Sequence, residues 1–402
     1  MARIVFLSVP AYGHLNPVLP IIAELVRRGH AVTVFDERPF EPAIRATGAD
    51  FVAYPKAMSM EDMAAVLMRG DMIETFELFV RASVPLYDFC LKQLKGNRPD
   101  ALVIDGIALW GDMVGRRLRI PTIVTSAFFA YGLSAEAGSR ELPQMLKTLV
   151  RRLGPIVLNW VGVGLRGVHL LPLHWPLMPV PGDLTLMLTS RQLHPPSPVL
   201  KRKSWVFVGA TIDPRTRSDV FDFSRLDGRP VIYVSLGTLI FGKSDFYERC
   251  VAALGDYPAQ VLMSVGRGTD LSRFADAPKN FIVANSFPQL EVLQHADMFI
   301  SPAGLNSVHE ALWYGVPMLA VPQHYEQLHN AEAMHRGGAG IILDGETDGR
   351  IVSPQDLRAG IETLAADLAG YKQRAAALGQ TLREGGGYVE AANRIETMIR
   401  TE

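Results

Sequence analysis

The sequence predicts an α/β protein made of two parallel-sheet domains, and three observations carry that expectation. Short β-branched runs alternate with helical patterns, the alternation restarts after a charged, turn-rich stretch, and 402 residues exceed what one hydrophobic core usually holds.

In the first half the strand-like runs are ARIVFLSV, HAVTVFDE and PDALVIDG, bounded by Gly, Pro or charged residues, with helical stretches such as NPVLPIIAELVRRG between them. Strand, helix, strand in repetition implies crossovers, and crossovers put helices on both faces of a parallel sheet. The second half repeats the grammar with PVIYVSLGT, AQVLMSVG, NFIVAN, ADMFIS and VPMLAVP, interleaved with DFYERCVAALGDY, PQLEVLQHA, LNSVHEALWYG and EQLHNAEAMHRGG. KSWVFVGATIDPRTRSDVFDFSRLDGRP (residues 203–230) separates the two halves. The expected division is a first domain over 1–205, a linker over 206–228 and a second domain over 229–402. After the Gly-rich break in TLREGGGYVEAANRIETMIR, a last Ala- and charge-rich helix either closes the second domain or reaches back to the first.

Composition narrows the function classes. With 48% hydrophobic and 20% charged residues and a formal net charge of −1, no long-range field gathers nucleic acid or anionic membrane. Cys90 and Cys250 lie far apart without a CxxC neighbour, which argues against a disulfide framework or a zinc site and fits a reducing cytoplasm. The N-terminal MARIVFLSVPAYGHLNP lacks the features of a signal peptide and reads as the first strand. The most membrane-like stretch, residues 155–181, is interrupted by Arg166, two His, Gly and several Pro, so it reads as a hydrophobic loop or broken helix lining a pocket.

The first candidate site follows strand one. In PAYGHLNP (residues 10–17), Gly13 permits a tight turn, Asn16 suits an N-cap and Pro17 a first helical position, presenting His14 at the carboxyl edge of the sheet. Open α/β sheets bind ligands at that edge. Asp105, closing the strand in ALVIDGIALWGD, reaches the same edge; an Asp partner fixes a histidine's tautomer and stabilises its cation. The alternative for Asp105 is a helix cap. Asp112 is nearby but lies along the helix, so Asp105 is preferred. GVGLRG (residues 162–167) matches GxGxxG, but Pro172, Pro176 and Pro179 fall where a phosphate-binding helix should run, which argues against a nicotinamide cofactor.

The second candidate site lies on the other sheet. SLGT (235–238), SFPQLEVL, ISPAGLNSVHEALWYGVP (300–317) and PQHYEQLHN gather hydroxyls, amides and a helix start at strand ends, which suits a nucleotide diphosphate. Glu310 suits ribose hydroxyls, and Glu326 with Gln327 suits sugar hydroxyls.

In order and spacing, PAYGHLNP, SLGT, FPQLEVL, GLNSVHEALWYGVP and VPQHYEQLHNA resemble the bacterial macrolide-type glycosyltransferases of the UDP-glycosyltransferase superfamily, and the resemblance spans essentially the whole chain. It implies a GT-B fold, two Rossmann-like domains facing across a cleft, with the acceptor on the first and a nucleotide sugar on the second. It further implies His14 as general base with Asp105 as its partner, and a diphosphate held by Ser235 or Thr238, Asn306, Ser307 and the helix start after Gly304 rather than by a metal. Phe287 then meets the base through its backbone, beside Ser286; Gln289 and Glu310 approach the ribose, and Glu326 and Gln327 the sugar.

Two departures stand out. Ser286 occupies the place of an aromatic that commonly stacks on uracil, and Pro302 replaces a phosphate-contacting His, with Ala303 after it. Losing one hydrogen bond to a charged oxygen costs about 1.5–3 kcal/mol, which weakens a site without abolishing it. The resulting expectation is a cytoplasmic, inverting, metal-independent glycosyltransferase without a cofactor. It moves a sugar, most simply glucose from UDP-glucose, to a hydroxyl of an apolar small molecule such as a macrolide, polyketide or phenol. The Met-rich residues 58–72 and residues 155–181 are candidates for the acceptor side. A dTDP-deoxysugar donor is one alternative; a degenerate relative that binds a ligand or partner without turnover is the other.

Overall fold

The computed structural model describes the chain except for residues 60–61, 64, 67–71, 131–160, 162–163, 165–178, 181, 198–200, 218, 238–243, 267, 346, 348 and 402. Thr238, most of the GVGLRG match, most of residues 155–181 and much of 58–72 therefore lie outside the described residues.

The chain divides into two units: Met1–Ser190, His194–Ile212 and Gly385–Glu402 form one, and Arg191–Leu193 with Asp213–Glu384 the other. In the first unit the described strands are β1 (Arg3–Leu7), β2 (Ala31–Asp36), β3 (Asp50–Ala53), β4 (Ala101–Asp105), β5 (Thr122–Ser126), β6 (Leu184–Met187) and β7 (Trp205–Phe207). All pair in parallel, in the order β3-β2-β1-β4-β5-β6-β7. Val206 and Phe207, assigned to a linker by the sequence reading, belong to the last of these strands, because their backbone pairs with β6.

Alternate residues of the strands go to opposite faces, and both faces are buried. Val5, Leu7, Leu102 and Ile104 pack on one side with Leu109, Trp110 and Met113, while Ile4, Phe6, Val32, Val34 and Val103 pack on the other with Leu19, Ile22 and Leu25. The second cluster also takes Ala391, Ala392 and Ile395 from the last helix, Gly387–Thr401. That helix is tied to the first unit by Glu396, which accepts hydrogen bonds from Arg28 (3.0 Å) and His30 (2.8 Å). The Gly-rich break before it has a steric cause. A side chain at Gly385 would collide with the Val208–Gly209 backbone, and Gly386 and Gly387 adopt φ of +84° and +59°.

The second unit repeats the plan. β8 (Val231–Ser235), β9 (Gln260–Ser264), β10 (Phe281–Ala284), β11 (Met298–Ser301), β12 (Met318–Ala320) and β13 (Gly340–Ile342) form a parallel sheet in the order β10-β9-β8-β11-β12-β13. Counted from its own first strand, the first sheet runs 3-2-1-4-5-6-7 and the second 3-2-1-4-5-6, the doubly wound order whose direction reverses between strands 1 and 4. The crevice at that reversal, β1/β4 in one unit and β8/β11 in the other, is where such sheets take ligands. Among the described residues no helix is long and apolar enough to cross a membrane.

Candidate active site

In the first unit the reversal point brings together the end of β4 and the turn after β1. Leu7 pairs with Ile104, one residue before Asp105, and the chain leaving β1 enters a one-turn helix, Tyr12–Leu15, that carries His14. His14 Nδ1 lies 2.8 Å from Asp105 Oδ2. The His14 side chain is 20% exposed against 5% for Asp105, so the ring reaches solvent while its partner stays covered. Asp105 does not cap the following helix, Leu109–Leu118, whose N-cap is Ala108 with no side-chain cap; its Oδ1 instead accepts the Ile107 amide at 3.0 Å, closing the turn before that helix. Asp112 turns instead to Arg116, at 3.0 Å on the same helix, and burial, foremost, raises its carboxyl above the usual range.

The local route to His14 differs from the sequence expectation. Ala11 is already the helix N-cap, with its carbonyl accepting from His14 and Leu15; Asn16 is the helix's C-cap, in the right-handed region. Gly13 is therefore helical rather than a turn residue, and Pro20, not Pro17, takes the first turn of the following helix, Leu19–Arg27. Two features at this edge went unread in the sequence. Asp36, at the end of β2, is fully buried with Oδ2 unpaired, and burial pushes its carboxyl well above the usual range. Phe128 places its ring 6.4 Å from that of His14.

In the second unit the reversal point is bordered by Ser235 and by the loop after β11. Ser235 is buried, and its hydroxyl oxygen accepts the Gly237 amide at 3.3 Å. After Ser301 the chain passes Pro302 and then Ala303, which holds φ at +64°, a left-handed conformation that carries strain for a residue with a Cβ. The Ser301 hydroxyl steadies the turn by accepting the Ala303 amide at 3.2 Å. Gly304 is the N-cap of the helix Leu305–Trp313 and supplies no side-chain cap, so Asn306 and Ser307 sit in a first turn whose amides face the end of the sheet.

Glu310 is 5% exposed on that helix. Its Oε2 accepts from Gln289 at 2.6 Å, and Gln289 also reaches the Ser307 hydroxyl at 3.2 Å. Glu310 Oε1 accepts from Arg217 at 3.0 Å, a residue the sequence reading left in the linker. Ser286 is exposed and donates to Asp219 at 3.3 Å; Phe287 is buried between Phe221 and Tyr233, with ring separations of 5.1 and 6.3 Å. Glu326, in the first turn of Tyr325–Arg336, is exposed and accepts from Asn330 at 3.0 Å. Gln327 is instead buried, and its Oε1 accepts the Gln323 amide at 2.9 Å, which closes the loop before the helix. His309, between the site residues on its helix, is held neutral by burial, its pKa lowered to about 3. No local signal marked Arg217, whose partner Glu310 is distant in sequence, or Asp36 and His309, whose settings come from burial.

Comparison with known proteins agrees with this architecture. The sequence model of the family described as "UDP-glucoronosyl and UDP-glucosyl transferase" matches residues 184–383. The chain is 27% identical over 398 residues to the NDP-glycosyltransferase YjiC of Bacillus subtilis (strain 168), covering 99% of this chain and 97% of that one. It is 26% identical to the oleandomycin glycosyltransferase of Streptomyces antibioticus, over 85% of this chain and 78% of that one. Among solved structures, the glycotransferase of kitacinnamycin superposes with a TM-score of 0.85 at 29% identity, covering 99% of both chains. The doubly wound sheets, the family match and the full-length relatives converge: the chain belongs to the UDP-glycosyltransferase superfamily and is a GT-B glycosyltransferase.

Proposed function

We propose that the protein transfers a sugar from a nucleotide sugar, UDP-glucose in the simplest case, to a hydroxyl of an apolar natural product, with inversion and without a metal. The observation that carries this reading is the His14–Asp105 pair. With Asp105 accepting from Nδ1–H, Nε2 is the unprotonated nitrogen that takes the proton of an acceptor hydroxyl, and Asp105 stabilises the imidazolium that forms. The oxygen attacks the anomeric carbon from the face opposite the nucleotide, the bond to the diphosphate breaks, and the nucleoside diphosphate leaves. Its charge is met by the first-turn amides after Gly304, with Asn306, Ser307 and Ser235 beside them.

On the donor side, Gln289 and Glu310 form one hydrogen-bonded unit suited to ribose hydroxyls, and exposed Glu326 suits a hydroxyl-rich sugar. Relatives named for oleandomycin and kitacinnamycin support a natural-product acceptor. The test is nucleoside-diphosphate release together with product mass, from UDP-glucose and dTDP-glucose, against phenolic and macrolide acceptors. One added hexose with the uridine donor is the expected result. A hexose added only from dTDP-glucose moves the assignment to a thymidine donor, and silence from both, with acceptors still binding, overturns the enzymatic reading for these substrates.

A further inference from the structure

The Glu310 carboxylate is nearly removed from water on the helix whose start is proposed to meet a diphosphate. Left unpaired, such a charge is costly to bury and repels the anionic ligand. Arg217 supplies the balancing charge: its Nη2 is 3.0 Å from Glu310 Oε1, and Arg217 is 30% exposed against 6% for the Glu310 side chain. This is not a loose surface pair. Arg217 ends the short 3-10 turn Pro214–Thr216, which Asp213 caps by accepting the Arg215 amide. The following residues are pinned to the same sheet edge, Asp219 by Ser286 and Phe221 by Phe287.

We propose that Arg217 is a positioning residue of the donor site, holding the Glu310 carboxylate in the orientation that receives the ribose diol; the inference rests on the donor-site reading above. Arg217 takes one position on Oε1 and Gln289 one on Oε2, which leaves a further acceptor position on each oxygen, two for two vicinal hydroxyls. The arginine thus acts on the ribose through Glu310 and offsets its charge next to the diphosphate.

The experiment is calorimetric titration of UDP and of 2′-deoxyuridine diphosphate into wild type, Arg217→Ala, Arg217→Lys and Arg217→Ala in a Glu310→Gln background. Arg217→Ala is expected to weaken UDP by about tenfold and the deoxynucleotide by less than about threefold, with Arg217→Lys in between. In the Glu310→Gln background, Arg217→Ala adds no further loss. An equal loss for both nucleotides, no loss, or full additivity with Glu310→Gln overturns the proposal. A wild-type protein that binds neither nucleotide removes the donor-site reading and this role with it, whereas UDP binding that ignores Arg217 removes only this role.

Discussion

His14 and Asp105 are 91 positions apart in the chain, yet Nδ1 of one lies 2.8 Å from Oδ2 of the other. Neighbouring strands of the first sheet deliver them, one just after β1 and one at the end of β4. Replacing Asp105 by Asn keeps the shape but removes the charge that orients and stabilises the ring. Transfer by Asp105→Asn is expected to fall by about 10²–10⁴-fold in kcat, with the donor KM little changed. A steady-state comparison checks this, and a loss confined to KM would assign Asp105 to binding instead.

Pro302 brings no N–H to the phosphate edge. If the loop keeps its path, Pro302→His restores a donor there and tightens UDP by about ten- to a hundredfold, the equivalent of about 1.5–3 kcal/mol. Titration of UDP into the variant reads this directly. Unchanged affinity would show that the turn directs residue 302 away from the phosphates.

Ala303 pays for its φ of +64° through contact between its Cβ and the neighbouring carbonyl oxygen. Glycine removes that cost, about 1–2 kcal/mol, and gives back about 0.4–1 kcal/mol through a freer unfolded chain. Ala303→Gly is therefore expected to stabilise the protein by about 0–1.6 kcal/mol in denaturant unfolding. Destabilisation would mean that the methyl group contributes packing that outweighs the strain.

His309 makes stability depend on pH. Its folded pKa is lowered from 6.5 to about 3 by burial, so on acidification below 6.5 the unfolded chain binds a proton that the native state refuses. Stability is lost as pH falls, by up to about 1.4 kcal/mol per unit, until the folded group itself titrates near 3. Unfolding curves at several pH values should show a shallower acid limb in His309→Asn than in wild type. Parallel limbs would exclude His309 as the source.

The long β-branched runs and the restart of the strand–helix pattern made both sheets legible from sequence. β3, β5, β6, β7 and β13 were not read, because runs such as DFVA, WVF and GII are too short to show a period of their own. The destination of the last helix is not legible for a related reason: amphipathicity shows that a face is buried without naming what covers it. His14 and Asp105 were visible because each follows or ends a recognisable strand. The helix start near Asn16 was misplaced because two prolines, Pro17 and Pro20, compete for the same signal and the chain becomes helical already after Ala11. Arg217 escaped because its partner lies 93 residues on, and nothing in a charged, turn-rich stretch distinguishes one arginine from its neighbours.

Transfer as proposed begins when His14 removes the acceptor proton. The most direct test compares the transfer rate of wild type and His14→Ala while titrating UDP into both. Transfer is expected to fall by at least about a hundredfold and UDP affinity to stay within about twofold, since the base contributes to chemistry and not to nucleotide binding. Transfer surviving within about tenfold of wild type, or UDP affinity falling in step with activity, would contradict that role of His14.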